Sequence, residues 1–502
     1  MSQISRTSCS LSVFALCLSS PAFADVTAAE LWAEWQATAS ASGQQISAEV
    51  TETETGLVLT NFVSTMTQEG VESSGRTDEI TLTNTPDGTV EIGVPQAYTL
   101  TTRFPEYEGG PLVTLTFDLT HEGLAITASD EADARVYDYA ADTLIMALVD
   151  IEAEDEDDVP VIDMTITGTD LATVYRLSGD SAEAQTFTSE GTLGSLEGVL
   201  DVTPPRDIDG SLKVSFTMGD MTTTGSGSVT ALTMASQAST MEALPEGFDI
   251  AGAVEYGRFM LEFAFEDRGD SFDLFYSNAG GRLATALTTE EISYDIDVRD
   301  METRIAGSEM PFPVAVSAAS GELGLTAPLA ASDTPEDAAL RIAYDGVTVA
   351  DGMWSIFDPA GQLPRDPAIV ILDATAQIRL LMDLLSPEAM ESEVPPGELR
   401  ALTVNELQVS LGGAELTGTG DLTFAEGQMM PMPVGSVDLN LSGGMTLLDR
   451  LVSAGLVPNE QAAMARGFAG MFTRPGATPD TLETTVEFSE GGGITANGIP
   501  LQ

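Results

Sequence analysis

The feature that most constrains this chain is an every-second-residue spacing of apolar side chains, which recurs along its length. Alternation with a period of two places one face of a β-strand in a core and the other in water. Threonine and valine, which strands favour, are plentiful between the apolar positions. The spacing therefore predicts a mainly β fold with a few helices, built from extended, curved antiparallel sheets. The clearest alternating runs are 115–119, 212–218, 259–265, 292–298 and 482–488.

Short turn signals rich in glycine separate these runs, as expected of a meander of antiparallel strands. The segment 225–228 (GSGS) is also interpreted as a glycine-rich turn, here between two threonine-rich strands. The other turn signals are 86–88, 109–111, 209–210, 412–413 and 443–444.

Helical spacing is confined to a few segments. We expect helices over 27–41 and 132–149, and a short helix pair near 445–472 that packs on the sheet. The first helix of the pair would end at Gly455. The second carries a stripe that is interpreted either as core packing or as the lining of an apolar groove. The stripe has i, i+4, i+7, i+8 spacing and consists of Met464, Phe468, Met471 and Phe472.

The first 24 residues have the pattern of a secretory signal peptide. A short polar start precedes the apolar run 10–18, which is too short to span a bilayer. Ala22 and Ala24 supply the small side chains that a signal peptidase recognises, so we expect cleavage after Ala24. The alternative, a lipoprotein acylated on Cys17, would need a small residue where Leu16 stands. The pattern therefore predicts a periplasmic protein.

Both cysteines lie inside this leader, so the mature chain has no thiol for a disulfide, a metal site or a nucleophile. No later stretch reaches the roughly 18 uninterrupted apolar residues of a membrane-spanning helix. A mature length of about 480 residues predicts more than one domain. The polar stretch 236–245 is the best internal boundary, and it gives two β-rich regions over 25–240 and 241–502.

The chain is strongly acidic, with 79 Asp and Glu against 19 Lys and Arg and a formal net charge of −60. Nucleic acid is excluded as a partner, because phosphate binding depends on basic side chains. The acidity has two interpretations: a solvated surface that keeps an exported protein soluble, or a surface that meets cations or a basic envelope protein. The densest acidic cluster, 152–158, is predicted to be a solvated loop.

Few catalytic chemistries are open to this composition. His121 is the only histidine, which excludes a two-histidine metal site, and we expect it to be a solitary surface residue. No G-x-S-x-G element is present, and the one lysine, Lys213, lies on an alternating strand that points it to solvent. A hydrolase that uses two carboxylates stays open, since acidic residues are abundant. We expect a non-catalytic protein without a cofactor.

Two segments carry side chains that suit a metal ion, and an ordinary loop is the alternative interpretation of each. Calcium could bind oxygen ligands near Asp207 and Asp209, although the EF-hand spacing is missing. Copper(I) could bind the methionine thioethers of 428–432, although no histidine or cysteine would help there. Neither pattern predicts a metal site, and calcium binding stays open.

Several motifs resemble a known family. GTGDLTF at 418–424, LLDRLVSAGL at 447–456 and EGGGITANGIPL at 490–501 occur in this order. With DVTAAELWAEWQ at 25–36 and WSIFDP at 354–359, they resemble the uncharacterised proteobacterial family called domain of unknown function 2125. That resemblance implies an exported β-rich protein, with no activity, substrate or catalytic residue to carry over. A more distant similarity to AsmA-like envelope proteins implies elongated sheets with an apolar groove connected with lipid.

Two hypotheses of different classes follow. In the first, a curved sheet holds a lipid or another apolar molecule on its concave face. In the second, that face is fully packed, and the protein is an envelope scaffold whose acidic outer face meets a basic partner. Lipid that co-purifies with the protein would favour the first hypothesis, and a recovered protein partner would favour the second.

Overall fold

The computed structural model describes residues 25–41, 43–68, 70–105, 110–132, 134–153, 159–179, 185–205, 209–231, 244, 247–386, 389, 392, 394–425 and 432–501. The predicted leader with Ala22 and Ala24 lies outside these residues, as does Asp207. Most of the acidic cluster 152–158, of the methionine segment 428–432 and of the boundary stretch 236–245 also lies outside them.

Strands dominate the chain, as the alternation predicts. The first eleven are β1 Gln45–Glu52, β2 Gly56–Gln68, β3 Val71–Asn84, β4 Val90–Gly93, β5 Ala97–Pro105, β6 Leu112–Glu122, β7 Ala125–Glu131, β8 Ala134–Ala153, β9 Val161–Ser178, β10 Thr186–Thr203 and β11 Ser211–Ser228. The next eight are β12 Asp249–Tyr256, β13 Phe259–Asp267, β14 Asp270–Asn278, β15 Gly280–Thr288, β16 Glu291–Gly307, β17 Val314–Pro328, β18 Glu336–Val349 and β19 Ala368–Leu380. The last seven are β20 Gly397–Leu411, β21 Ala414–Phe424, β22 Pro433–Ser442, β23 Arg474–Pro475, β24 Thr481–Phe488, β25 Ile494–Ala496 and β26 Ile499–Pro500.

The helices with described bounds are α1 Ala28–Ala41, α2 Asp351–Phe357, α3 Gly444–Ser453 and α4 Asn459–Phe472. Helices α1, α3 and α4 were predicted from helical spacing. Gly455, with φ 75°, follows the end of α3 as expected of a helix stop.

The strands form one antiparallel sheet of 26 strands, which confirms the predicted fold class. Most neighbours in the sheet are also neighbours in sequence. Four long strands each pair with two shorter ones placed end to end: β3 with β4 and β5, β8 with β6 and β7, β11 with β12 and β13, and β16 with β14 and β15. From β16 to β22 each strand pairs with the next. The pairing of β11 with β12 carries the sheet across the predicted boundary near 240, and the division into two regions stays a prediction.

Helix α1 covers the apolar face of the sheet at its N-terminal end. Thr27 and Glu30 form a reciprocal capping box, because each backbone N–H donates to the other's side chain. The Ala28 N–H donates to Asn84 Oδ1 at 2.7 Å and ties the helix start to β3. Leu59 and Leu82 beneath the helix are 0% exposed. The other buried core residues are Val26, Ala28, Leu31, Trp32, Leu57, Ile80, Val90, Ile92, Ala128 and Tyr137.

Hydrogen bonds among partly buried polar side chains connect α1 to β8. Arg135 donates to Glu34 at 2.6 Å, and the Trp35 indole donates to the Tyr137 hydroxyl at 3.4 Å. Burial raises the pKa of Tyr137 and raises that of Tyr175, on the neighbouring strand β9, to about 12.

Two local predictions are wrong. The predicted helix 132–149 is strand β8, and the predicted turn 225–228 lies inside β11. In β8 the apolar side chains Tyr137, Tyr139 and Ala141 occupy odd positions and Leu144, Met146 and Leu148 even ones, although Val136 is also buried and residues 144–148 are all partly buried. This three-residue step imitates helical spacing, and it explains the error.

The same change of apolar residues between odd and even positions recurs at aligned positions of neighbouring strands. We call these positions the seam. Three of its residues have a left-handed backbone in mid-strand: Asp170 (φ 53°), Asp220 (φ 50°) and Asp300 (φ 50°). Flanking pairs place Asp142 opposite Asp170, Asp170 opposite Gly194 and Gly194 opposite Asp220. Farther along the sheet, Gly280 pairs with Arg299, the neighbour of Asp300. The seam consists of Asp142, Asp170, Gly194, Asp220, Gly257, Gly280 and, one position out of register, Asp300.

The seam keeps apolar side chains on one face although their positions shift by one. A residue outside the extended conformation interrupts the two-residue pleat. The rings of Tyr256 and Phe259, three positions apart across Gly257, pack edge to face with centroids 6.4 Å apart. The Met301 methyl group lies on the side of β17 to which a side chain at Gly321 would point. The apolar face therefore continues across the seam.

We predict that Asp220→Val lowers the free energy of unfolding by about 1–2 kcal/mol, because a β-branched side chain disfavours a left-handed backbone. Asp220→Gly should not lower it, since glycine adopts positive φ without strain. Thr222→Val on the same strand introduces the same side chain at an extended position and should have little effect. Urea unfolding measures all three variants. Equal stabilities of Asp220→Val and Asp220→Gly would contradict the backbone assignment.

A second prediction concerns the core. Leu59→Ala should lower the free energy of unfolding by about 2–5 kcal/mol, because it leaves a cavity in a fully buried site. Leu283, a strand residue that is 41% exposed, is the matched control. Leu283→Ala should cost clearly less in the same urea titration, since its side chain is only partly covered. Similar losses for the two variants would contradict the described burial.

A third prediction concerns alkaline stability. The pKa of about 12 for folded Tyr175 lies above the roughly 10 of an unfolded tyrosine. The corresponding stabilisation is fully present below about pH 10 and is lost as the pH rises through the folded value. We expect the free energy of unfolding to fall between these pH values and to fall less in Tyr175→Phe. If the free energy of unfolding depends on pH in the same way in both proteins, the raised pKa of Tyr175 is contradicted.

Candidate binding face

Beyond the region covered by α1, the apolar face of strands β15 to β20 forms three cross-strand rows in register. We call these rows the open apolar face. The first is Leu283, Ile296, Leu323, Ile342, Leu372 and Leu407. The second is Thr285, Tyr294, Leu325, Leu340, Ala374 and Val404. The third is Gly281, Val298, Gly321, Tyr344, Val370 and Val409.

Large side chains of this face are exposed to a degree that is unusual for one contiguous patch. Six of them are 37–44% exposed, whereas Leu59 in the core under α1 is 0% exposed. The six are Leu283, Tyr294, Leu323, Leu325, Tyr344 and Val370. Because the alternation is the same in both regions, the difference in side-chain exposure comes from the residues packed on top. No described residue buries the open apolar face as α1 buries the core.

The other face of these strands is charged. Arg341 bridges two strands by donating to Glu322 at 2.8 Å and to Asp373 at 3.1 Å. Arg282 donates to Asp295 at 2.7 Å. These side chains are 31–58% exposed, so each pair adds little to stability. The sheet therefore has one apolar and one charged face here, as the alternation predicts.

The predicted stripe near the C-terminus lies on α4, but it is not packed in a core. Met464, Phe468 and Met471 are 60%, 61% and 56% exposed, which corrects the core-packing interpretation. Phe472 is partly buried, and its ring stacks on Phe468 at 6.1 Å between centroids. Helical spacing alone does not show which face of a helix meets the sheet, which explains the error. A groove lined by these four residues stays a prediction.

The helix pair is fixed to the sheet mainly at its ends. Asp480 accepts the backbone N–H groups of Met445 and Thr446 at the start of α3, at 3.2 and 3.0 Å. Hydrogen bonds from Thr446 hold the pKa of Asp480 below its usual value. At the end of α4, Asn497 donates to the Phe472 carbonyl at 2.9 Å. The exposed stripe lies between these two anchors.

An open cleft of about 710 Å³ crosses β10, β11, β13, β14 and β16. Its lining includes Phe275, whose ring carries the Arg304 guanidinium 4.1 Å from its centroid. Lys213 also lines the cleft, is 63% exposed and pairs with Asp201 at 3.2 Å. This placement agrees with the prediction that Lys213 points to solvent.

His121 is not the surface residue that the sequence suggests. It is 9% exposed, and its Nε2 lies 2.8 Å from the Pro95 carbonyl. The partner comes from a connection 26 positions earlier, so no local pattern could have revealed it. Among the described residues no group of three or more His, Cys, Asp or Glu is arranged to hold a metal ion. Within the same residues no helix is long and apolar enough to cross a membrane.

Residues 256–501 match the model of a bacterial family described as "Uncharacterized protein conserved in bacteria (DUF2125)". This segment is therefore similar to DUF2125. The match confirms the family that the C-terminal motifs resemble. Neither the curated proteins nor the solved structures contain a match to the chain.

The DUF2125 segment contains the whole open apolar face together with helices α2, α3 and α4. The covered core under α1 lies before it in the chain. The family is described as uncharacterised, so it contributes no activity or site residue to this protein.

Proposed function

We propose that this protein is a non-catalytic, exported protein that holds a lipid or a similar apolar molecule on its open apolar face. The observation that carries the proposal is the set of six large apolar side chains, 37–44% exposed, on contiguous strands. Soluble proteins rarely leave such a patch uncovered without a binding role. The opposite, charged face of the same strands would meet water.

The energetics of the patch suit a hydrocarbon ligand. Removing apolar surface from water contributes about 25 cal/mol per Å², so covering roughly 400 Å² would supply about 10 kcal/mol. Loss of ligand freedom and ordering of side chains offset part of this. What remains is enough for micromolar binding or tighter. A hydrocarbon chain needs no hydrogen-bond partner, and the three rows offer few.

Export is the second part of the proposal and rests on the sequence. The leader pattern, with cleavage after Ala24, would place the mature protein in the periplasm. There, a protein that shields hydrocarbon from water could keep a lipid soluble away from a membrane.

The alternative is an envelope scaffold that uses its acidic surface to meet a basic protein or cations. The observation in its favour is the excess of 79 acidic over 19 basic residues. Many of the described arginines are already paired with carboxylates, which leaves a large unpaired negative charge on the surface.

Lipid that stays bound through purification tests the proposal. We expect mass spectrometry of an organic extract of the purified mature protein to find at least one lipid in a near-stoichiometric amount. Leu323→Asp should lose most of this lipid, because a carboxylate on the open apolar face would have to be desolvated.

Thr326→Asp is the matched control, since it adds the same charge three positions away on the other face of β17. It should keep the lipid. Circular dichroism confirms that both variants fold, and Leu283→Asp repeats the test if Leu323→Asp does not. No lipid in the wild-type extract, together with a co-purified basic protein, would contradict the proposal and favour the scaffold.

A further inference from the structure

Helix α4 carries its large apolar side chains on the side that faces away from α3. On its inner side Ala462 is 0% exposed, and Arg466, about one turn later, donates a hydrogen bond to Asp449 of α3. Met464 and Phe468 each follow one of these inner residues by two positions, which corresponds to a rotation of about 200° around the helix. Their exposure of 60% and 61% agrees with this placement. The stripe therefore faces outward.

The outward stripe is one part of a larger exposed apolar region at this end of the sheet. Pro364 after α2 and Arg450 of α3 both lie within 3.4 Å of the position that a side chain at Gly413 would occupy. The segment after α2 and the helix α3 therefore meet at the β20–β21 turn. Leu411, the last residue of β20, is 57% exposed, and Ile356 of α2 is 51% exposed. We call α2, this turn and the α3–α4 pair the helical end.

The α3–α4 part of the helical end does not share the acidity of the chain. Segment 444–480 contains three basic and three acidic residues, whereas the whole chain has 19 basic and 79 acidic residues. Asp449 accepts a hydrogen bond from Arg466, and Asp480 accepts the backbone N–H groups at the start of α3. A bilayer surface with phosphate groups therefore repels this segment less than it repels the strongly acidic parts of the chain. The six charged residues are Asp449, Arg450, Glu460, Arg466, Arg474 and Asp480.

The α2 connection adds little uncompensated charge to the helical end. Asp351 pairs with Arg365 at 3.0 Å. Asp358 is 0% exposed, and its two carboxylate oxygens accept the backbone N–H groups of Gln362 and Leu363 at 2.8 Å each. The exposed apolar side chain of Ile356 therefore lies in a segment whose carboxylates are largely engaged within the protein.

We propose that the helical end docks on the surface of a lipid bilayer, with the stripe of α4 inserted below the headgroups. A helix with one apolar face lies in the plane of the bilayer interface and buries that face by about 5–10 Å. Met464, Phe468 and Met471 supply such a face, and their spacing of four and three residues aligns them along α4. The proposal uses other residues than the open apolar face and does not depend on a lipid being held there.

Docking at the helical end would bring the open apolar face to the membrane. Leu407 and Val409 of β20 belong to the first and third rows of that face. Leu411 follows Val409 by two positions and therefore lies on the same side of the strand. The apolar side of β20 thus extends from the rows to the helical end. A hydrocarbon chain that leaves the bilayer there would contact apolar side chains on its way to the rows.

A second copy of the chain fits the stripe less well than a bilayer does. Met464, Phe468 and Met471 are 56–61% exposed, which corresponds to roughly 350 Å² if a large apolar side chain offers about 200 Å². A stable protein–protein interface buries about 800 Å² on each partner. Two copies would also bring two strongly acidic chains together. A bilayer needs no such area, because its apolar interior surrounds each inserted side chain.

Flotation with lipid vesicles tests the proposal. We expect the purified mature protein to float with vesicles of phosphatidylcholine and phosphatidylethanolamine, and to do so also at high salt, because salt does not screen apolar insertion. The double variant Met464→Ser with Phe468→Ser should bind these vesicles at least about tenfold more weakly, since it removes two of the three inserted side chains.

Leu381→Ser with Val394→Ser is the matched control. These two residues are 45% and 57% exposed and lie in the β19–β20 connection, at the opposite end of β19 from α2. This variant should bind vesicles as the wild type does. Urea unfolding checks that both double variants are folded, and Phe468→Ser alone replaces the first if it is not.

Four results would overturn the proposal. They are a wild type that does not float, equal flotation of the wild type and the stripe variant, flotation that is lost at high salt, and a dimer in light scattering that the stripe variant abolishes. The third would assign binding to the arginines, and the fourth would identify a second copy as the occupant. Leu323→Asp should float as the wild type does whether or not it loses co-purified lipid, so docking and the proposed function can fail separately.

Discussion

The structure depends on the left-handed residues of the seam, which let apolar side chains remain on one face of very long strands. Strands of 17 to 20 residues, such as β8 and β16, exceed the usual length of a β-strand. At Asp170, Asp220 and Asp300 the backbone leaves the extended conformation, and the apolar positions shift by one. If the backbone stayed extended at these residues, the apolar side chains that follow them would lie on the charged face. Aspartate and glycine suit these positions because they tolerate positive φ better than most residues do.

The two ends of the apolar face have the same strand pattern, but only one of them is buried by a helix. Under α1 the alternating residues are sealed by Leu31 and Trp32, and the core strands reach 0% exposure. On β15 to β20 equivalent residues such as Leu323 stay 38% exposed. A uniform sheet with one capped region and one uncapped region is stable because the cap supplies a core, while the uncapped rows remain available to a ligand. The proposed lipid would take the place that α1 takes at the other end.

Sequence reasoning predicted what depends on local periodicity. It predicted the β class, three of the helices and the charged outer face, since each follows from spacing within a few residues. It failed at β8 because the step at Asp142 imitates a helix, and at His121 because the Pro95 carbonyl that binds it is remote in sequence. It could not predict that Met464 and Phe468 on α4 lie exposed, or that six residues of the open apolar face lack cover. Exposure depends on how distant segments meet, and a single sequence does not record it.

A polarity-sensitive fluorophore at position 294 tests the central claim most directly. Both cysteines lie in the predicted leader, so Tyr294→Cys would create the single labelling site of the mature chain. The account predicts emission typical of water in the delipidated protein and a shift to shorter wavelength when lipid is added, with no shift at Ser293→Cys on the charged face. Emission that is already apolar without lipid and unchanged by it would mean that the face is covered, and would contradict the account.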